Sequence, residues 1–120
     1  MTDSAAFDTT RLATLQQLAG NPAELTLMLN EFIASSRARV LAIQAALTAG
    51  DLPLIRKQAH PMKSGAATVG SVALAALCRE IETAAAENNP RDLPESVARL
   101  DSLLAGTISW LAETTKLPLG

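Results

Sequence analysis

Residues 51–70 read DLPLIRKQAHPMKSGAATVG. Two conformations suit that string, and Pro61 separates them. A proline in a helix interior removes one backbone hydrogen bond and costs on the order of 3 kcal/mol, so a new helix could begin here with His60 as its cap. The apolar residues point the other way. Leu52, Ile55, Ala59, Met62, Ala66 and Val69 recur every three or four positions and stay in phase across the proline. One helix is therefore expected from about residue 51 to residue 69, bent near Pro61 and with the Lys57 carbonyl left without a donor.

The same period runs to either side. Leu25, Met28, Leu29, Phe32, Val40, Ile43 and Leu47 form a stripe over residues 22–49, weak only at Ser36. Leu74, Leu77, Cys78, Ile81 and Ala85 form another over 71–87, and Val97, Leu100, Leu104, Ile108 and Leu111 a third over 94–113. Leu12, Leu15 and Leu18 mark a shorter helix around residues 8–18. Punctuation separates them. Gly20-Asn21-Pro22 combines a stop, a cap and a first-turn proline, with Glu24 completing a capping-box pattern. Gly50-Asp51 and Gly70-Ser71 repeat the Gly stop and capping start, and Asn88-Asn89-Pro90 with Pro94 makes the last break. No stretch alternates with period two. Short connections between amphipathic helices imply antiparallel neighbours. The expected fold is all-α: an antiparallel up-down four-helix bundle with a short additional N-terminal helix against it.

Composition agrees. The 120 residues suit one domain, residues 1–120. Aromatics are confined to Phe7, Phe32 and Trp110, so the core must be built from aliphatic residues and alanine, which favours closely packed helices. A formal charge of −2 offers no basic field for nucleic acid. Cys78 is the single cysteine, which excludes an intramolecular disulfide and a thiolate metal cluster. The opening MTDSAAFDTT has no basic-then-apolar signal pattern, and the longest apolar run, Val72 to Cys78, is far too short to span a bilayer. A cytoplasmic protein without membrane insertion is expected.

His60 is the only histidine. At about 100° per residue it lies roughly 130° from the centre of its own apolar stripe, and so should face water. Its neighbours at i−4, i+3, i+4 and i+7 are Arg56, Lys63, Ser64 and Ala67, and no Asp or Glu occurs between Asp51 and Glu80. An imidazole among cations and small side chains suits narrow chemistry. Its neutral form is a good nucleophile, and it predominates at pH 7 when the pKa is near ~6.5. A nearby ammonium attracts a phosphoryl group. Small residues at Ser64, Gly65 and Ala67 leave room for another protein's active site. One histidine with no carboxylate beside it builds neither a metal site nor a nucleophilic triad, and Gly65 and Gly70 alone make no nucleotide loop. Blander alternatives stand beside this. A lone exposed histidine is ordinarily a plain surface residue. Cys78 belongs to a core stripe, Trp110 covers one end of the bundle, and Glu80, Glu82 and Glu87 form a wet face. Of these, Glu82 comes within reach of His60 if the two helices run antiparallel.

Ala59-His60-Pro61-Met62-Lys63-Ser64-Gly65, followed by Val69-Gly70, resembles the signature of histidine-containing phosphotransfer (HPt) domains. Leu74, Leu77-Cys78 and Ile81-Glu82 fit that family's downstream pattern, as Phe32 and the Ala49-Gly50-Asp51 turn fit upstream, and the likeness spans roughly residues 8–112. Two departures are Met62 for the usual leucine, a volume-conserving swap, and Pro61 at a variable position. The resemblance implies a four-helix bundle whose exposed histidine carries phosphate between receiver-domain aspartates. By position, His60 is the phospho-acceptor and Lys63 the cation that stabilises the phosphoryl group. Ser64 stands beside the ring, and Glu82 takes the Gln/Glu position on the next helix.

The function expected is that of a histidine phosphocarrier in a multistep two-component phosphorelay, without kinase activity of its own. Its docking surface is expected to comprise Arg56, Lys57, Ser64, Gly65, Ala67 and Glu82. Expected partners are response-regulator receiver domains and a hybrid sensor kinase. The chain would act as a monomer and need no cofactor, with Mg²⁺ on the receiver partner. The alternative is a non-transferring adaptor that docks receiver or kinase domains and sequesters them.

Overall fold

The computed structural model describes residues 6–120. Among these the regular structure is helical: α1 (Thr9–Ala19), α2 (Pro22–Ala49), α3 (Leu52–Val69), α4 (Val72–Ala86), a 3-10 turn (Pro90–Asp92), α5 (Leu93–Ala98) and α6 (Leu100–Thr115). Local chemistry sets most boundaries. Asp8 caps α1 by accepting from the Thr10 and Arg11 N–H groups, at 3.0 and 3.3 Å. Asn21 caps α2 through the Glu24 N–H at 2.8 Å, with Pro22 in the first position. Asp51 caps α3 through the Leu54 N–H at 3.1 Å.

α3 runs unbroken through Pro61. Five of the six residues of the quoted stripe, from Ile55 to Val69, are buried and Leu52 is half-buried. Burial of that face, at roughly 1.5–3 kcal/mol for each large aliphatic side chain, outweighs the single hydrogen bond the proline removes. α3 packs most extensively against α4 and next against α2. Ala59, Ala66, Cys78 and Ala85 let the backbones approach, and Ile55, Met62, Leu74, Leu77 and Ile81 fill the space between. This core continues into Val40, Ile43 and Ala46 of α2 and into Leu93, Val97, Leu100 and Leu104 of α5 and α6. A second cluster, at the other end, joins Leu12, Leu15, Leu25, Leu29, Val69 and Leu111, with Leu117 and Leu119 of the tail laid on it.

Side-chain pairs cross the turns. Arg39 donates to Gln58 Oε1 at 2.9 Å across the Gly50 turn, and Gln44 donates to Asp101 Oδ2 at 3.0 Å between α2 and α6. The turn between α3 and α4 is closely packed. Gly70 has φ 95°, and a Cβ there would meet the Asp8 carbonyl at 2.5 Å and Trp110 at 3.2 Å. Asp8 N–H donates to the Gly70 carbonyl at 2.7 Å, Phe7 bridges to Ser71, and the Phe7 ring stacks on Trp110 at 4.4 Å. Trp110 thus covers one end of the helices through the residues that precede α1.

Two local expectations need correction. Ser71 makes no capping hydrogen bond; its hydroxyl is buried and pairs with Thr107 Oγ1 at 2.7 Å, tying the turn to α6. A partner that satisfies a buried hydroxyl wins over a cap that water can replace. The last helix is also not continuous over 94–113. Helical structure begins with the 3-10 turn at Pro90 and tightens at Arg99, whose N–H donates to the Ser96 carbonyl three residues back at 3.1 Å. Val97, Leu100, Leu104 and Leu111 stay buried on both sides of the break. No helix among the described residues is long and apolar enough to cross a membrane.

Candidate functional site

Midway along α3, His60 stands out from the surface with 65% of its side chain exposed. The residue that meets it comes from α4. Glu82 is only 16% exposed, and its carboxylate serves two partners: Oε2 lies 2.5 Å from His60 Nδ1, and Oε1 accepts from Lys63 Nζ at 2.7 Å. The spacing explains why these three converge. His60 and Lys63 are neighbours on one helical face, and the short turn at Gly70-Ser71 folds α4 back so that Glu82 comes level with both. The ring is therefore not surrounded by cations and small side chains alone, as the spacing within α3 had suggested. A carboxylate lies directly beside it, from 22 residues further along the chain.

Electrostatics follows from that contact. The Lys63 hydrogen bond holds the Glu82 carboxyl below the usual range, against burial that pushes it up, and the His60 hydrogen bond lowers it further. Glu82 is then ionised at neutral pH and accepts the Nδ1–H, which leaves the lone pair on Nε2, the nitrogen turned away from α4. Under this cluster Cys78 is fully buried. Burial pushes its thiol up to about 12, with Glu82 adding and Lys63 opposing, so it remains a neutral packing group. Among the described residues no group of three or more His, Cys, Asp or Glu side chains could hold a metal ion.

The other residues expected at the site are spread around the ring. Arg56 and Lys57, one turn before His60, line with Pro53 and Glu82 a shallow depression of about 400 Å³ that His60 borders. Ser64 is exposed one turn after it. Gly65 faces away, towards α2, where a Cβ would lie 3.4 Å from the Phe32 ring. Ala67 is half-buried and lines a groove of about 740 Å³ with Arg11, Val72 and Ala76. Arg56, Lys57, Ser64 and Glu82 thus share the ring's surroundings, whereas Gly65 and Ala67 open onto different flanks of α3.

Comparison with known proteins agrees with the fold. The Hpt domain model matches residues 27–110. The chain belongs to the Hpt-domain family. Its fold is similar to the crystal structure of histidine-containing phosphotransfer protein B (HptB) from Pseudomonas aeruginosa PAO1, with a TM-score of 0.84 and 28% identity over 92% of this chain and 95% of that one. No curated protein matches the chain significantly.

Proposed function

We propose that this protein is a phosphoryl carrier that accepts a phosphoryl group on His60 Nε2 from a receiver-domain aspartate and returns it to another. The observation that carries the proposal is the Glu82–His60 hydrogen bond at 2.5 Å. With Nδ1–H donated to Glu82, the Nε2 lone pair attacks phosphorus as the bond to the aspartyl oxygen breaks, and that oxygen leaves as carboxylate. The ring becomes an imidazolium, whose charge the adjacent carboxylate stabilises. Return transfer reverses each step. The receiver supplies Mg²⁺ and the acidic pocket, and a hybrid sensor kinase would start the relay. The chain acts as a single monomeric domain over residues 1–120 and does not phosphorylate itself from ATP.

The bundle serves this role as a rigid frame. The pairs that cross its turns and the packing of α3 on α2 and α4 support an up-down arrangement of the four long helical segments, with α5 and α6 together as the fourth. Membership of the family supports histidine phosphotransfer in a phosphorelay. The proposed working compartment is the cytoplasm, where ATP charges such kinases. A non-transferring adaptor would have no use for a ring fixed in one tautomer with its second nitrogen left open.

Incubation with phosphorylated receiver domains tests the proposal. One acid-labile, alkali-stable phosphoramidate is expected on His60. His60→Gln should abolish labelling while the thermal midpoint moves by no more than about 2 °C, as for an exposed side chain. An acid-stable label on a serine or threonine would refute it.

A further inference from the structure

Lys63 is the cation that its position after the histidine singles out for the phosphoryl group, yet its ammonium is already engaged. It donates to Glu82 at 2.7 Å and only 27% of its side chain is exposed. Moving it to a phosphoryl group would strip Glu82 Oε1 of its only cation, leaving a mostly buried carboxylate held by the ring alone beside a group carrying about −2. Repulsion between the two anions opposes that exchange. Arg56 and Lys57 are placed differently. They precede His60 by four and three residues, which puts them one turn below it and to either side on the same face. Both are exposed, and among the described residues neither forms an ion pair. Both line the depression that His60 borders.

Resting on the phosphocarrier assignment, we infer that Arg56 and Lys57, and not Lys63, form the subsite that neutralises the phosphoryl group on His60. The planar guanidinium suits two phosphoryl oxygens at once, while the ammonium supplies a point charge. Lys63 then acts at one remove, keeping Glu82 ionised and in place against Nδ1.

A small phosphodonor separates this subsite from protein docking, where the same two cations would meet a receiver's acidic pocket. Phosphoramidate reacts as its zwitterion. Nε2 attacks phosphorus, the P–N bond breaks with its electron pair going to nitrogen, and ammonia leaves with its three hydrogens. The imidazolium formed keeps its Nδ1–H on Glu82.

The Arg56→Ala/Lys57→Ala double variant should be labelled by phosphoramidate about 10-fold more slowly than the parent, and Lys63→Ala no more than about 3-fold more slowly. The parent rate should fall more steeply with added salt than the double variant's. The charge-preserving pair Arg56→Lys/Lys57→Arg should recover most of the rate, and Arg91→Ala, a cation that does not line the depression, should match the parent. If the double variant is labelled at the parent rate but fails only with a receiver, the two cations serve docking and the subsite is refuted. A larger loss in Lys63→Ala than in the double variant returns the role to Lys63. If the parent itself takes no label on His60, both the subsite and the carrier assignment fall.

Discussion

At His60 the imidazole and Lys63 compete for one carboxylate, and Glu82 satisfies both because each takes a different oxygen. This arrangement has a pH signature. The Glu82 carboxyl is held below its ordinary value of 4.5, first by the Lys63 hydrogen bond. A carboxyl with a lowered folded-state pKa contributes stability that is fully present above the unfolded value and is lost as pH falls through the folded one. Glu82→Gln should therefore be less stable than the parent by about 1 kcal/mol at neutral pH. The gap should close as the pH is lowered below the ordinary carboxyl value of 4.5 and through the depressed folded-state one. Urea unfolding at three acidic pH values measures it, and a gap that widens as pH falls below 4.5 would contradict the role given to Glu82. The same variant keeps an acceptor for Nδ1–H but loses the charge that stabilises the imidazolium, so labelling should slow by about 10-fold.

For α3 as an element, the proline next to the acceptor is the unusual feature. Pro61 cannot donate to the Lys57 carbonyl, yet the helix continues because its buried face is in phase on both sides. Pro61→Ala restores that hydrogen bond and relieves the ring's clash with the preceding turn, gains partly offset by the freer unfolded chain. A net stabilisation of about 2 kcal/mol is expected from chemical denaturation. Pro61 is exposed, so no core packing is lost. Phosphoramidate labelling of this variant should stay within about 2-fold of the parent, since His60 remains opposite Glu82. A large fall in rate would show that the proline sets the ring's position.

Over the whole molecule, the two flanks of α3 differ. Ser64 is exposed one helical turn beyond His60, while Gly65 and Ala67 face α2 and the groove beside α4. A transient partner must cover His60 with a modest interface, below ~1,200 Å². Ser64→Trp should then cut transfer from a phosphorylated receiver by at least ~10-fold, because phosphoryl transfer depends on close positioning. Labelling by phosphoramidate should hardly change, since a small donor needs no docking surface. Equal transfer from the receiver in variant and parent would mean that the partner approaches from another side.

Periodicity and punctuation are local properties, so residues 51–69 were legible as one helix despite Pro61, and so were the caps at Asn21 and Asp51 and the outward direction of His60. A helix's buried face depends on spacing along its own chain, and that spacing is in the sequence. The motif around His60 likewise pointed to the family that the comparisons support. What the sequence could not place was anything held across helices. Glu82 read as part of an ordinary wet face, or by family position as a residue near the ring. That it binds the ring and Lys63 together depends on how far α4 folds back at Gly70. Ser71 looked like a cap, but Thr107, 36 residues on, was a better partner for a hydroxyl shut away from water. Gly65 and Ala67 sit close to His60 along the chain, yet which helices pack against α3 decides what each meets, the Phe32 ring for Gly65 and the groove beside α4 for Ala67. Side-chain pairing is decided by which helices meet and at what height, and only the packed bundle settles both.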